Sequence, residues 1–346
     1  MAIDRPNQSV GIAVEDESQV GGVRRLAVGL AAQRGFDENA RSDIAIVATE
    51  AAWNIVRHAR RGNVLLSIQA DIGVSFDILA MDTGPGMADL CRCMEDGYST
   101  TGTAGTGLGA VRRLSDEFDL YSRPGEGTVL FSRRWRRGDR PPTDGWLEVS
   151  GISVPAPDEI ECGDAWQCTV QDGEASVLVS DGLGHGPQAA VASNTAVRYH
   201  QDHAASPAET LEQLHAPLRK TRGAAVGIAR LPRNGEQVQY AAVGNIDAAV
   251  LAPGRRTGFL SQHGTVGAVL PSVRCAAYDW PRGALLVLAS DGLTRRWSLE
   301  SYRGVWQHHP ALMAGLLYRD FGRGRDDATV VILRRRNTAS GGRSDR

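Results

Sequence analysis

Four acidic positions in the second half of the chain have the residue types and placement of a hydrolytic centre. They are Asp164 in Cys162-Gly163-Asp164-Ala165-Trp166, Asp181 in Ser180-Asp181-Gly182-Leu183-Gly184-His185-Gly186, Asp291 in Ser290-Asp291-Gly292, and the pair Asp326-Asp327. Each borders an apolar, β-branched run, so each carboxylate is presented where a strand ends, and hard oxygen donors gathered that way recruit divalent cations. A two-metal centre lowers the pKa of a water held between the cations and stabilises charge developing on a phosphoryl group. The chemistry implied is phosphate removal.

A second constellation lies in the first half. Glu50, Asn54 and His58 recur at i, i+4 and i+8 on one helical face. Asp82 opens the turn Asp82-Thr83-Gly84-Pro85-Gly86-Met87, and a glycine-rich run that includes Gly105, Gly107 and Gly109 leads into another helix. Glycines there let backbone N–H groups and a helix N-terminus approach phosphates. Asn54 offers a neutral oxygen ligand to a magnesium ion bridging those phosphates. Glu50 can accept a proton from an attacking hydroxyl or water, and Asp82 can accept a hydrogen bond from an exocyclic amine, which favours adenine.

The elements that must position these groups follow from periodicity. Helical stripes cover residues 18–34 and 43–59, two strands at 64–70 and 74–81 are joined by Asp71-Ile72-Gly73, a helix covers 110–116, and strands at 117–122 and 127–134 complete an α/β sandwich. Residues 136–145 carry Gly138, Pro141 and Pro142 without periodicity and read as a linker. From 146 onward the pattern changes to strands at 147–154, 164–171, 176–180, 224–231, 237–243, 248–252, 284–289 and 328–333, with helices at 187–199, 207–221 and 310–319. The class is α+β. The expected division is 8–135, linker 136–145, 146–336, and a polar tail 337–346.

A length of 346 residues suits two units near the usual ~150-residue size. Hydrophobic residues at 42% and charged residues at 23% describe a globular chain, and no stretch approaches the roughly 20 apolar residues of a membrane helix. The start lacks the apolar core of a signal peptide, so the expected location by default is the cytoplasm. Five cysteines, Cys91, Cys93, Cys162, Cys168 and Cys275, have no metal or disulfide spacing and read as reduced structural thiols. A formal charge of −2 leaves no nucleic-acid footprint; the arginines at 133–137 and 334–336 read as solvated linker and tail, and Lys220 is the only lysine.

The first half resembles the GHKL (Bergerat) ATPase fold, and within it the small serine kinases and anti-sigma factors of bacterial partner-switching systems. The resemblance rests on Glu50-Ala51-Ala52-Trp53-Asn54-Ile55-Val56-Arg57-His58-Ala59, on Asp82-Thr83-Gly84-Pro85-Gly86, on Gly105-Thr106-Gly107-Leu108-Gly109, and on Gly127-Thr128. It implies Mg-ATP binding, with Asn54 on the metal, Asp82 and Thr128 at adenine, and Glu50 as the base. The segment between Met87 and Gly105 lacks the long insertion of histidine kinases and gyrase-type ATPases, which favours the serine-kinase branch.

Residues 147–336 resemble the SpoIIE-type serine/threonine phosphatases of the PP2C superfamily, an αββα sandwich. The matching residues are Gly163-Asp164, Ser180 to Gly186, Thr221-Arg222-Gly223-Ala224-Ala225, Gly244-Asn245, Gly264-Thr265-Val266-Gly267, Ser290 to Thr294, and Arg325 to Thr329. The resemblance implies two Mn²⁺ or Mg²⁺ ions bridged by Asp181, with Asp164 and the Gly182 carbonyl on one and Asp291 and Asp326 on the other. Asp326 aligns with the first acid of the family pair, ahead of Asp327. His185 is open to two readings, general acid or hydrogen-bonding residue of its Gly-His-Gly turn. The chain departs from the PP2C pattern in lacking an arginine near the start of the domain to clamp the substrate phosphate, as does the SpoIIE branch, which implies reliance on a docked protein substrate.

The halves together imply a regulator that dephosphorylates a STAS-type anti-anti-sigma protein and binds ATP as an opposing serine kinase, with a sigma or anti-sigma factor as a further partner and a homodimer as an open possibility. No nucleic acid and no membrane enter this reading. Two alternatives stand beside it: a phosphatase whose N-terminal domain is a nucleotide sensor or docking module, and a non-enzymatic partner-binding protein with both sites degenerate.

Overall fold

The computed structural model describes residues 7–93, 107–141, 145–171, 173–203 and 205–336, the side chains at 91 and 93 excepted. Gly105 and the linker residues 142–144 lie outside that range.

The first domain is built from β1 (Ser9–Val14), α1 (Glu17–Gln33), α2 (Glu38–Asn54), β2 (Gly62–Gln69), β3 (Ser75–Asp82), α3 (Leu90–Cys93), α4 (Gly107–Leu114), β4 (Glu117–Arg123) and β5 (Gly127–Trp135). Its antiparallel sheet has the order β1-β2-β3-β5-β4. Helix α2 begins earlier than the apolar stripe alone predicts, because Asp37 caps it by accepting from Ala40 N at 2.8 Å. Its last turn, Ile55–Ala59, is π-helical, a widening that recurs at functional sites. Strand β1, whose six residues carry little sequence signal, pairs along β2 as the sheet edge.

The second domain contains β6 (Leu147–Val154), β7 (Asp164–Gln171), β8 (Glu174–Gly182), α5 (Pro187–Asp202), α6 (Pro207–Leu218), β9 (Ala224–Pro232), β10 (Gln237–Val243), β11 (Asp247–Ala252), β12 (Arg255–Gly258), β13 (Ala276–Asp279), β14 (Leu285–Ala289), α7 (Pro310–Phe321) and β15 (Ala328–Arg335). Two five-stranded sheets, β13-β10-β9-β8-β7 and β12-β11-β14-β15-β6, face each other. Strand β15 shows how alternation divides the core: Val331 and Leu333 point between the sheets, while Val330 and Ile332 point outward onto α7. Helices α5 and α6 cover the other outer face through Leu178, Ala192, Ala196, Leu211 and Leu214. The result is the expected αββα sandwich. No helix among the described residues is long and apolar enough to cross a membrane.

The two domains share a core. In the first-domain sheet, Ile78, Ala80 and Leu130 face α1 and α2, whereas Leu79, Met81, Val129 and Phe131 face α7. Every residue of α7 from Pro310 to Leu317 is buried, the signature of a helix packed on both sides. Gly315 permits the close approach, since a Cβ there would meet Leu79 Cδ2 and Val129 Cγ1 at 3.2 Å. Because burying one large aliphatic side chain stabilises by about 1.5–3 kcal/mol, detaching the first domain would expose several such contributions at once.

Polar groups fix the same interface. Arg133 forks onto Asp77 at 2.6 and 2.7 Å, reaches Glu117 at 3.4 Å, and donates to Ser150 Oγ of the second domain at 3.1 Å. His309, stacked on Phe131 at 4.4 Å, contacts Glu117 at 3.2 Å, and His308 contacts Asp119 at 2.9 Å. Burial by itself would raise the Glu117 carboxyl, but His309 and Arg133 together hold it down at about 2. Asp71 accepts from Asn7 Nδ2 at 2.7 Å and from Cys168 N at 3.0 Å, covering the β7 edge.

One buried group on α5 makes stability depend on pH. His200 contacts Gln167 Oε1 and Ser176 Oγ, each at 2.7 Å, and burial pushes its imidazole down to about 4. Between about 6.5 and 4 the unfolded chain binds a proton there that the folded chain does not, so stability falls as pH falls through that window, by about 1.4 kcal/mol per unit once below 6.5. Denaturant titrations of wild type and His200→Gln at pH 7 and pH 5 measure this: the wild type is expected to lose about 2 kcal/mol more than the variant, and equal losses would show that His200 does not carry the effect.

Candidate functional site

In the second domain, Asp164 opens β7 and Asp181 lies near the end of β8, and the register places them directly opposite one another, so both carboxylates share one face. Asp291 follows β14 by two residues and Asp326 precedes β15 by two. The β14–β15 pairing therefore brings these acids to one end of the second sheet, beside the first pair. Burial raises the Asp181 carboxyl well above its ordinary value, and the charges of Asp164, Asp291, Asp326 and Asp327 raise it further. Asp164 is raised by burial as well, with Asp327 and Asp291 adding to the effect. Carboxylates that raise one another's pKa in an enclosed space are what a divalent cation relieves.

Neutral donors orient these acids. Ser290 Oγ donates to Asp164 Oδ2 at 2.6 Å and is itself held by Thr329 N at 2.9 Å. Asn245 Nδ2 donates to Asp291 Oδ2 at 2.7 Å. Asp327 accepts from Ala156 N at 2.8 Å through Oδ1, while its Oδ2 is buried without a partner and abuts Gly163, where any Cβ would collide with it. Asp326 is exposed and accepts from Asp327 N at 3.0 Å. Among the described residues no three His, Cys, Asp or Glu side chains already form a metal cage. The all-oxygen donor set and the unpartnered Asp327 oxygen nevertheless fit hard divalent cations. His185, an exposed side chain, contacts Glu159 Oε1 through Nδ1 at 2.7 Å.

In the first domain, Glu50 and Asn54 meet the N-terminus of α4. A Cβ on Gly107 would lie 2.7 Å from Glu50 Oε2 and 3.9 Å from Asn54 Oδ1, so the absent side chain is what lets the helix end approach the two polar groups. Asn54 Nδ2 is buried without a partner. Gly107 and Gly109 are helical rather than part of a turn, and Gly109 is buried. Across the sheet, Asp82 pairs in register with Thr128. Gly84 N donates to Asp82 Oδ1 at 2.8 Å, and Ser122 Oγ, 2.9 Å from Thr128 Oγ1, takes Met87 N at 2.9 Å. Gly86, at φ 68°, lies against the Arg123 carbonyl. Burial raises the Asp82 carboxyl against the pull of Gly84 N and Arg319. The π turn re-registers His58, which faces Asp82 electrostatically.

The structure thus groups Asp164, Asp181, Gly182, Asp291 and Asp326 at one centre and Glu50, Asn54, Gly107, Asp82, Gly84 and Thr128 around the helical face of the first sheet. The sequence motifs contain Ser290 and Asn245 without assigning them a role; both orient site residues, and Glu159, which carries no local sequence signal, orients His185.

Residues 13–133 match the family described as Histidine kinase-like ATPase domain, and residues 171–336 match the family described as Stage II sporulation protein E (SpoIIE). The chain is 36% identical over 132 residues to the serine/threonine-protein kinase RsbT of Bacillus subtilis (strain 168), covering 38% of this chain and 99% of that protein. It is 26% identical over 122 residues to the anti-sigma F factor of Thermoanaerobacter sp. (strain X514), covering 34% of this chain and 85% of that protein. A solved structure described as the bacterial stressosome, a modular system adapted to control secondary messenger signaling, aligns with a TM-score of 0.51 and 28% identity over 54% of this chain and 99% of that one. RsbX in complex with magnesium aligns with a TM-score of 0.50 and 19% identity over 56% of this chain and 96% of that one, a likeness of fold alone.

Proposed function

For a chain that belongs to the histidine kinase-like ATPase family through residues 13–133 and to the SpoIIE family through residues 171–336, we propose a partner-switching regulator that removes phosphate from phosphoserine or phosphothreonine on a STAS-type anti-anti-sigma protein and binds Mg-ATP in its first domain as an opposing serine kinase. The observation that carries the phosphatase half is the register that sets Asp164 directly opposite Asp181, beside the strand ends from which Asp291 and Asp326 extend. Asp181 would bridge two Mn²⁺ or Mg²⁺ ions, Asp164 and the Gly182 carbonyl completing one and Asp291 and Asp326 the other. Bound there, the pair supplies a hydroxide at neutral pH and offsets charge on the phosphoryl oxygens. Ser290 and Asn245 hold one oxygen of Asp164 and of Asp291 and so aim the other. His185, held by Glu159, would either protonate the departing serine oxygen or fix its Gly-His-Gly turn by hydrogen bonding.

In the first domain Asn54 would hold the magnesium, Asp82 and Thr128 the adenine, with Gly84, Gly86, Gly105, Gly107 and Gly109 letting backbone approach the nucleotide, and Glu50 would take the proton of the acceptor serine. The kinship with RsbT and with an anti-sigma factor supports this reading. A sigma or anti-sigma factor and a second copy of the chain are further candidate partners. One contact favours the alternative of a nucleotide sensor without transfer chemistry: Arg319 of α7 donates to the Asp82 carbonyl at 3.1 Å, so the phosphatase domain touches the adenine strand.

Label transfer from γ-labelled ATP to a STAS protein tests the proposal, using Asp291→Asn so that hydrolysis does not erase the product. Label is expected, its removal by wild type with Mn²⁺ is expected, and Glu50→Ala in the Asp291→Asn background is expected to abolish transfer while keeping ATP binding. ATP binding without label would leave the sensor reading standing and the kinase reading overturned.

A further inference from the structure

A centre lined by Asp164, Asp181, Asp291, Asp326 and Asp327 is hostile to a phosphate ester dianion unless cationic groups face the entering phosphoryl oxygens. Strand β9 runs beside β8 with Ala225 opposite Asp181 and Ala224 opposite Gly182. The pairing continues past the strand end, where Leu183 N donates to Gly223 O at 3.0 Å. The next residue outward on β9's side is Arg222, and its guanidinium lies over the Asp181–Gly186 loop: a Cβ on Gly184 would stand 2.9 Å from Arg222 Nη1. Gly184, at φ 84°, carries none.

The backbone under Arg222 is fixed. Thr221 Oγ1 donates to Leu218 O at 2.7 Å and takes Gly223 N at 3.0 Å, tying residue 222 between the end of α6 and the start of β9. The side chain itself is exposed and, among the described residues, has no hydrogen-bond or ion-pair partner. Arg256 is committed to Asp247 and the Trp297 carbonyl, and Arg319 to Asp320 and the Asp82 carbonyl. An exposed guanidinium carried by a fixed backbone over the loop of the central acid, and left without a carboxylate, is suited to a phosphate, whose oxygens it can take two at a time.

Resting on the phosphatase reading, we propose that Arg222 binds the non-bridging phosphoryl oxygens of the substrate, supplying from the α6–β9 turn the cation that the start of the domain lacks. Its contribution is made to the ground state and the transition state alike, so its removal weakens binding more than turnover. A phosphate contact from a charged donor has the strength to change affinity by about 10- to 100-fold.

The test compares wild type, Arg222→Ala, Arg222→Lys and Arg219→Ala, the last removing a neighbouring charge at the C-cap of α6. Two quantities are read: KM and kcat for a phosphopeptide with Mn²⁺, and the affinity of the Mn²⁺-loaded protein for inorganic phosphate by calorimetry. Arg222→Ala is expected to raise KM and weaken phosphate binding by about 10- to 100-fold with kcat within a few-fold, Arg222→Lys to recover part of both, and Arg219→Ala to change neither appreciably. Unchanged phosphate affinity in Arg222→Ala, or an equal loss in Arg219→Ala, overturns the assignment. If wild type hydrolyses no phosphoester, the phosphatase reading fails, while the calorimetry still decides whether Arg222 holds phosphate.

Discussion

Asp181→Asn is expected to lower metal-dependent hydrolysis of an aryl phosphate by roughly a thousandfold, because a residue proposed to bridge both cations would lose a charge worth several kcal/mol and each tenfold in rate corresponds to about 1.4 kcal/mol. The same substitution has an opposite expected effect on the fold. The Asp181 carboxyl is raised by burial and by Asp164, Asp291, Asp326 and Asp327, so its ionised form is held at a cost in the absence of cations. Asparagine removes that repulsion without changing the volume. In chelator, the variant is therefore expected to melt at or above the wild-type temperature, and wild type alone is expected to gain strongly from Mn²⁺. Retained hydrolysis within about tenfold of wild type, or a lower melting temperature in chelator, would show that Asp181 is not the centre of a metal site.

The second large effect is expected at the domain interface. Arg133→Ala leaves Asp77, itself 3% exposed, without its bidentate partner, removes the charge beside Glu117, and strips Ser150 of a donor from the opposite domain. Breaking a buried pair from one side costs roughly 3–5 kcal/mol, because the remaining charge stays buried. For a chain of this size that corresponds to a fall in melting temperature on the order of 10 °C. Combining Arg133→Met with Asp77→Leu should recover much of the loss, since a matched apolar pair needs no counter-charge. The interface further predicts a single cooperative transition in wild type, as Leu79, Met81, Val129 and Phe131 melt with α7. A loss below about 1 kcal/mol for Arg133→Ala would mean that Asp77 finds water or another donor.

Most of the candidate site was legible because its determinants are local. An acid at the boundary of an apolar run is at a strand end whichever strand it joins, which is why the strand-end positions of Asp164, Asp181, Asp291 and the pair Asp326-Asp327 were legible in the sequence. Glycines that announce a close approach were legible too, although the structure puts Gly107 and Gly109 inside α4 rather than in a turn. Partners separated by long stretches of chain were not. Ser290 reaches Asp164 across 126 residues of sequence and Asn245 reaches Asp291 across 46, contacts set by sheet register and by no periodicity.

The sequence by itself determined two domains, their αβ classes, the faces that must be buried and the strand ends at which the acids lie, since alternation and strand-end chemistry act within a few residues. Only the tertiary structure decided what those faces are buried against. Alternation in β3 and β5 announces two apolar faces, and the unbroken apolar run of α7 announces a helix enclosed on both sides, but periodicity names no partner. The union of the first sheet's second face with α7, with Arg133, Asp77 and Ser150 pinned across it, makes two sequence domains one packed body, because burial is settled by shape and distance in space rather than along the chain.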